Sequence, residues 1–289
     1  MTSQKKIKVL VAGAAGKMGR AAVESILLDS ELELVGVTGR QDSELINKEI
    51  LEICNLQLKQ INQKRPKGEK FKKLDLRLES NLQDSLQRSE PDVFLDLSVP
   101  NVVYENAKTA LNQGVNVVSG ATGLSYEDSL ELGKKAEFFG CGILVAPNFS
   151  VGALLMIHFA QIASKYFNQA EIIETHHNQK VDAPSGTSLK TAEEMSKTNS
   201  NFQENLVDKQ EKSNKLARGL NIKNVRIHSL RLPGFLAHQT VVFGSQGEVL
   251  SIKHDTSDRK AFMPGVILSL KEITKTKGLT YGLEKILKF

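Results

Sequence analysis

A short apolar run, Ile7–Val11, breaks into Gly13-Ala14-Ala15-Gly16-Lys17-Met18-Gly19 and then into an amphipathic stretch with Met18, Ala21, Ala22 and Ile26 on one side. A second apolar run, Leu32–Thr38, follows. Helical periodicity between two strand-like segments, entered through glycines, reads as a strand–turn–helix–strand unit. Such a crossover commits the chain to parallel pairing, with a helix laid over the sheet. Asp92–Ser98, Val115–Ser119 and Gly142–Ala146 are further strand candidates, separated by helical patterns at Val102–Gln113 and Tyr126–Phe139. The alternation predicts an α/β fold with a Rossmann-like, doubly wound parallel sheet.

The pattern changes after Asn148. A buried-looking helix is expected over Val151–Tyr166 and a strand over Ala170–Thr175. Alternation of apolar and polar residues returns at Val225–Leu230, His238–Phe243 and Glu248–His254. This predicts a C-terminal α+β domain with a mixed or antiparallel, half-buried sheet. Ala261–Thr274 is helical again and is expected to pack back on the first domain. The expected division is therefore residues 1–149 with 260–289, and residues 150–259. Two stretches fit poorly. Ser43–Lys73 reads as a helical, polar insertion, and Thr198–Asn221 as a helix end followed by a mobile connection.

A chain of 289 residues is long enough for one large or two modest cores. Its net charge of +5, from 38 basic and 33 acidic side chains, favours anionic small molecules such as phosphorylated cofactors. Much of the excess sits in Lys64-Arg65-Pro66-Lys67-Gly68-Glu69-Lys70-Phe71-Lys72-Lys73. That cluster lacks interleaved aromatics and a groove-entering motif, so it reads as a solvated insertion and not as a nucleic-acid site. Cys54 and Cys141 form no C-x-x-C spacing, which fits a reducing, cytoplasmic compartment. The first residues hold no signal-peptide apolar core, and the longest apolar run, Val151–Ala163, is too short to span a bilayer.

Gly13-x-x-Gly16-x-x-Gly19 is a variant of the dinucleotide fingerprint. Glycines allow a tight turn and close approach of the backbone to a pyrophosphate, whose charge then rests on the helix N-terminus. A Walker A loop is excluded, because Val11 and Met18 occupy the positions of its first glycine and its Ser/Thr. A tight strand–helix connection without ligand is the plainer alternative. The second strand ends in Val37-Thr38-Gly39-Arg40-Gln41-Asp42, with no acid at the strand end itself. Arg40 and Thr38 are suited to a 2′-phosphate, which favours NADPH while leaving NADH open. Gly120-Ala121-Thr122-Gly123 and Ala146-Pro147-Asn148-Phe149-Ser150 also follow strands, where ligands bind in this architecture.

The densest chemistry lies in Glu174-Thr-His176-His177-Asn-Gln-Lys180-Val-Asp182-Ala183-Pro184-Ser185-Gly186-Thr187-Ser188. In extended geometry His176 and His177 point in opposite directions, so one is placed to face a ligand and the other to support it. Pro184 fixes a turn, and Gly186 and Thr187 open a helix carrying Leu189, Ala192 and Met195. That start is an anion site sized for a carboxylate. Lys180 beside it is suited to neutralise a second charge or deliver a proton. The histidines are not at i, i+4 and no third ligand completes a set, which argues against a metal.

Glu174-x-His176-His177-x-x-Lys180-x-Asp182-Ala183-Pro184-Ser185-Gly186-Thr187 resembles the signature of the 4-hydroxy-tetrahydrodipicolinate (dihydrodipicolinate) reductase family. The glycine turn, Gly120–Gly123, Ala146–Gly152 and Arg231-x-x-Gly234 with His238, Glu248, His254 and Arg259 resemble other family segments, so the likeness spans nearly the whole chain. It implies hydride transfer from NADPH or NADH to a cyclic dicarboxylate, and a tetramer built by the C-terminal domain. By motif position it implies His176 as acid–base residue and Lys180 as proton donor, with His177, Ser185, Gly186 and Thr187 holding substrate. It implies cofactor contacts from Gly13, Ala14, Ala15, Gly16, Lys17, Met18, Arg40, Gly120, Ala121, Thr122, Ala146, Pro147, Asn148 and Phe149. Three departures stand out. Ala121 replaces a threonine, Gly39 replaces an acid that many members use for the ribose, and Ser43–Lys73 has no assigned counterpart.

Two other readings compete: a semialdehyde-type oxidoreductase, which needs a nucleophilic cysteine in a suitable motif, and a nucleotide sensor, which needs neither His176 nor Lys180. The cofactor reading has a direct check. Titration of both cofactors against Arg40→Ala is expected to show weakened NADPH affinity, and an unchanged NADPH affinity refutes the role of Arg40.

Overall fold

The strand β1 (Ile7–Ala12) is buried from Val9 onward, as expected of a central parallel strand covered on both faces. The computed structural model to which it belongs describes residues 5–65, 69–203, 215–287 and 289. The chain then forms α1 (Lys17–Leu28), β2 (Leu32–Thr38), α2 (Ile50–Ile53), α3 (Leu58–Lys64), α4 (Leu82–Ser89), β3 (Val93–Asp96), α5 (Val103–Asn112), β4 (Asn116–Ser119), α6 (Tyr126–Phe139) and β5 (Gly142–Val145). The helix α6 begins on a capping box in which Ser125 and Asp128 each accept from the other's backbone N–H. It ends on Gly140 in the left-handed conformation.

A second compact unit spans Ser150–Ala261. It holds α7 (Val151–Ser164), β6 (Ala170–His176), α8 (Gly186–Thr198), β7 (Leu220–Ile222), β8 (Val225–Arg231), β9 (Ala237–Ser245) and β10 (Glu248–Thr256). Its sheet has the order β10-β9-β6-β8-β7; β6 and β8 run parallel and the other pairs antiparallel. The sheet is therefore mixed. Ala160 and Ala163 of α7 and Ala192 and Met195 of α8 share a core with Ile172, Ile227, Val241 and Phe243 of the strands. The strands leave Ile173, Leu230 and Val249 exposed.

Phe262–Phe289 belongs to the first unit and contributes α9 (Met263–Glu272), β11 (Gly278–Tyr281) and α10 (Glu284–Leu287). β11 is an addition to the expected elements. It pairs in parallel with β5 and completes a six-stranded sheet of order β11-β5-β4-β3-β1-β2. Gly278-Leu279-Thr280-Tyr281 is not the near-continuous apolar run that marks β3 or β5, and no periodicity declares it a strand; the pairing to β5 decides it. From β1 the chain moves outward to β2 and then crosses back to β3, so the winding reverses between β1 and β3. Ligands of open α/β sheets bind at such a switch point, beyond the carboxyl ends of the strands.

The insertion departs from expectation at Arg65, which is 5% exposed and not solvated. Its guanidinium donates to the carbonyls of Leu27 and Asp29, and its Nε donates to the Glu69 carbonyl at 2.8 Å. It also pairs with the Glu69 carboxylate and lies 4.5 Å from the centroid of the Phe71 ring. The reason is local. A helix end leaves backbone carbonyls without partners, and a planar cation satisfies several at once. Counting charges along the sequence cannot show where those carbonyls lie. Backbone bonds from Ile50 to Leu76 and from Leu78 to Lys48 stitch the rest of the segment beside β2. Residues 66–68 of the basic cluster and residues 204–214 of the expected mobile connection lie outside the described residues. Among the described residues, no helix is long and apolar enough to cross a membrane.

Arg65→Ala strips donors from buried carbonyls and is expected to destabilise the fold by roughly 2–4 kcal/mol. Urea denaturation at neutral pH measures it; a change under 0.5 kcal/mol, the range of ordinary surface substitutions, refutes the anchor.

Candidate active site

Gly13 stands immediately after β1 with φ of 72°, and an added Cβ would lie 2.4 Å from the Leu97 carbonyl oxygen. Neither the left-handed backbone nor that approach admits a side chain. Gly19, inside α1, would bring a Cβ to 2.1 Å from the Gly13 carbonyl, so the turn and the helix interlock. Gly16 is the N-cap of α1 and supplies no side-chain cap. A cleft of about 790 Å³ opens at this turn, at the switch point between β1 and β3. Gly13, Ala15, Gly16 and Arg40 line it, as do Asp42, Ser43 and Leu45 from the start of the insertion. Arg40 Nε lies 3.6 Å from the Asp42 carboxylate, and both side chains are exposed.

Other expected cofactor residues take different places. Ala14 is fully buried, and Lys17 and Met18 form the first turn of α1. Gly120, Ala121 and Thr122 follow β4, while Ala146, Pro147, Asn148 and Phe149 follow β5; none lines the cleft. The two segments meet each other, since a Cβ on Gly120 would lie 2.2 Å from the Phe149 ring. Asp96, at the end of β3, was not among the expected residues. Its fully buried carboxylate accepts from the Ser98 amide at 2.9 Å and from Asn106 at 3.1 Å, and both partners line the cleft. Burial pushes the Asp96 carboxyl up from its ordinary value against these hydrogen bonds.

In the second unit the site grows from the two-residue repeat of β6. Ala170, Ile172, Glu174 and His176 share one face, so a carboxylate continues a row that begins in the apolar core. Glu174 has no exposed surface. It accepts from Nδ1 of His176, from Arg231 Nη2 at 2.9 Å and from Arg231 Nη1 at 3.1 Å. Burial works to raise its pKa, but hydrogen bonds from His176, Arg231 and Ser229 prevail and hold it at about 2. A carboxylate only accepts, so Nδ1 of His176 carries hydrogen and Nε2 is the ring atom left for a ligand.

Arg231 reaches further. Its Nη2 donates to the Asp182 carbonyl at 2.6 Å, tying the loop to the Glu174 carboxylate. Lys180 Nζ in turn donates to both oxygens of the Asp182 carboxylate, at 2.7 and 2.8 Å. The ammonium holds the Asp182 carboxyl below its ordinary value. His177 lies just past the strand, and its buried Nδ1 has no hydrogen-bond partner among the described residues.

The Ala183–Pro184 peptide is cis, and Ser185 follows as the N-cap of α8. The Ser185 Oγ accepts from the Ser188 amide at 3.2 Å and meets the Ser188 hydroxyl at 2.7 Å. That hydroxyl donates to Gln239 Oε1 at 3.0 Å, while Gln239 Nε2 donates to Thr191 at 2.8 Å. Gln239 is the β9 partner of Glu174 in the sheet register. Ser185 is thus engaged in holding α8, and the amides of Gly186 and Thr187 form the presented helix start. Among the described residues, nothing outside its own helix and chain neighbours lies within 4 Å of a Cβ built on Gly186, so a side chain there would meet open space. Residue pattern along the chain assigns no role to Glu174, Arg231, Asp182, Ser188 or Gln239. The signal for Glu174 was its apolar-row position on β6. Arg231 and Gln239 become legible only through strand register. No cluster of three or more His, Cys, Asp or Glu suited to a metal occurs among the described residues.

A glycine cradle at the switch point of a parallel sheet, with a mixed-sheet unit bearing paired cations and a proton-carrying imidazole, defines a nicotinamide-dependent oxidoreductase. Residues 7–149 match the family described as dihydrodipicolinate reductase, N-terminus, and residues 152–287 match dihydrodipicolinate reductase, C-terminus. The 4-hydroxy-tetrahydrodipicolinate reductase of Listeria welshimeri is 42% identical over 97% of this chain and 100% of its own. That of Gloeothece citriformis is 40% identical over 99% of this chain and 100% of its own. A dipicolinate-bound dihydrodipicolinate reductase from Paenisporosarcina sp. TG-14 superposes with a TM-score of 0.80 at 36% identity, covering 97% of this chain and 99% of that one. The chain belongs to the dihydrodipicolinate reductase family, whose members are NAD(P)H-dependent oxidoreductases.

The Glu174 cluster makes stability depend on acid. A carboxyl whose folded pKa is depressed contributes stability that is complete above its unfolded value and is lost as pH falls through the folded one. Here that window runs from about pH 5 down to about 2, with roughly 3 kcal/mol at stake. Urea midpoints for Glu174→Gln are expected to be lower at pH 7 and flatter across that window than for the unaltered protein. Arg231→Met, which strands the buried carboxylate, is expected to cost about 3–5 kcal/mol at pH 7.

Proposed function

We propose that the protein reduces (2S,4S)-4-hydroxy-2,3,4,5-tetrahydrodipicolinate to (S)-2,3,4,5-tetrahydrodipicolinate, a step in the diaminopimelate route to L-lysine. The net change takes up one hydride and one proton and releases one water. The observation that carries this reading is the loop from His176 to Thr187. It gathers a tautomer-fixed imidazole, an ammonium and a serine-capped helix start within a dozen residues, the complement of a small dicarboxylate. The Paenisporosarcina relative was solved with dipicolinate, a ligand of that class.

The cofactor suits the first unit, where the left-handed turn at Gly13 packs against the Leu97 backbone as no side chain would allow, Gly13 and Gly16 line the cleft, and the α1 start has no side-chain cap. When bound, the nicotinamide supplies hydride from C4. Gly13, Ala14, Ala15, Gly16, Lys17 and Met18 cradle the pyrophosphate, while Gly120–Thr122 and Ala146–Phe149 serve the nicotinamide end. Arg40 receives a 2′-phosphate. Asp42, paired with Arg40, is an acceptor for ribose hydroxyls, so both NADPH and NADH are accommodated.

Within the second unit, His177, Gly186 and Thr187 hold the substrate carboxylates, and Ser185 keeps the helix start in place. Asp182 steadies the Lys180 ammonium until a substrate carboxylate competes for it. Lys180 then gives the proton, and His176 acts as acid–base through Nε2. The exposed Ile173, Leu230 and Val249 support assembly through the open sheet face, and the reading extends to a homotetramer. Free Cys54 and Cys141 favour a cytoplasmic setting.

Freshly made hydroxytetrahydrodipicolinate is expected to drive oxidation of NADPH or NADH, followed by loss of reduced-nicotinamide absorbance; no oxidation with either refutes the function. His176→Ala and Lys180→Ala are each expected to lower turnover by roughly 100-fold or more with cofactor affinity retained. Gly186→Ala meets open space and is expected to raise KM for the dicarboxylate without lowering thermal stability.

A further inference from the structure

We infer that Glu174 is a positioning residue of the reaction: it fixes the Nδ1–H tautomer of His176, and through Arg231 it ties that imidazole to the loop carrying Lys180. The inference rests on the reading of His176 as the acid–base residue and adds to it the group through which His176 is aimed. Three observations carry it. Glu174 is fully buried at the point where the apolar row of β6 reaches the histidine, a position where an apolar side chain would continue the core. Packing alone therefore does not call for an acid. One carboxylate oxygen meets both His176 Nδ1 and Arg231 Nη1, while the other meets Arg231 Nη2, so all ionic partners converge on a single group. Finally, the Arg231 nitrogen that bonds Glu174 also bonds the Asp182 carbonyl, and the Asp182 carboxylate holds Lys180. His176 and Lys180 are thus linked through Glu174, Arg231 and Asp182, whose carbonyl bonds the arginine and whose carboxylate bonds the lysine.

The chemical consequence is specific. With Nδ1–H committed to Glu174, proton exchange with the substrate runs through Nε2 alone, and the Nδ1 hydrogen stays on the ring throughout turnover. The carboxylate also offsets the charge when Nε2 takes a proton, as a carboxylate does for a catalytic histidine elsewhere. A tautomer with hydrogen on Nε2 and a bare Nδ1 would place two acceptors face to face and is excluded while Glu174 is ionised.

The test compares Glu174→Gln, Glu174→Asp, His176→Ala and the double variant E174Q/H176A, with NADPH and hydroxytetrahydrodipicolinate as substrates. Glu174→Gln is expected to lower kcat by about 10- to 100-fold, the range for loss of a partner that orients a functional histidine, while NADPH Kd stays within twofold. Glu174→Asp is expected to recover part of that loss. The double variant is expected to be no slower than His176→Ala, because Glu174 acts through the imidazole. Proton NMR of the unaltered protein is expected to show a low-field Nδ1–H resonance that His176→Ala abolishes and Glu174→Gln moves upfield. Full kcat in Glu174→Gln overturns the inference, as does an undiminished further loss in the His176→Ala background. If His176→Ala is impaired and Glu174→Gln is normal, only the Glu174 role falls; if His176→Ala is normal, the acid–base reading falls with it. Because Glu174→Gln strands Arg231, E174Q/R231M is made as well. A folded double variant with full kcat overturns the inference, and one with the Glu174→Gln loss supports it.

Discussion

A carboxylate with no solvent exposure, set in line with Ile172 on the inner face of β6, is the constraint around which the second unit is arranged. An ionised group in that position cannot persist alone, since desolvation would neutralise it or unfold its surroundings. Arg231 and His176 resolve the problem from β8 and from the end of β6 itself. Their arrival fixes more than a charge. It sets the histidine tautomer, anchors the loop at Asp182, and makes the parallel pairing of β6 with β8 indispensable, because that register brings Arg231 opposite His176.

The same row extends sideways. Gln239 lies beside Glu174 on β9 and reaches the N-terminal turn of α8 through Ser188 and Thr191. The helix start is therefore aligned by the sheet. Both units present backbone amides at a helix start, the device that suits an anion, but the two starts are prepared differently. At α1 the turn is shaped by glycines that a side chain would obstruct. At α8 a serine cap consumes one amide and orients the remainder.

Much of this was legible along the chain. The glycine turn, the alternation of strands and helices, and the bounds of β2 and α6 follow from periodicity and turn chemistry, which act over a few residues. The gathering of His176, His177, Lys180 and Gly186 was equally visible, because one loop carries them all. Less visible was β11, whose four residues become a strand only by pairing with β5. Arg65 read as solvated charge, yet it is buried against carbonyls at the end of α1. The part played by Asp96 beneath the cleft at the glycine turn depends on Asn106, a helix residue ten positions away.

The sequence by itself determined the fold class, the glycine turn after β1 and the gathering of imidazoles, ammonium and helix start in one loop, since each is written in contiguous residues with a fixed local geometry. Only the tertiary structure decided which of those side chains are free to act and which are held. Glu174, Arg231 and Gln239 lie 57 and 65 positions apart along the chain from the first to the other two, and strand register alone makes them neighbours. Hydrogen bonds and charge depend on distance in space, and no pattern along the chain encodes that distance until the sheet has formed.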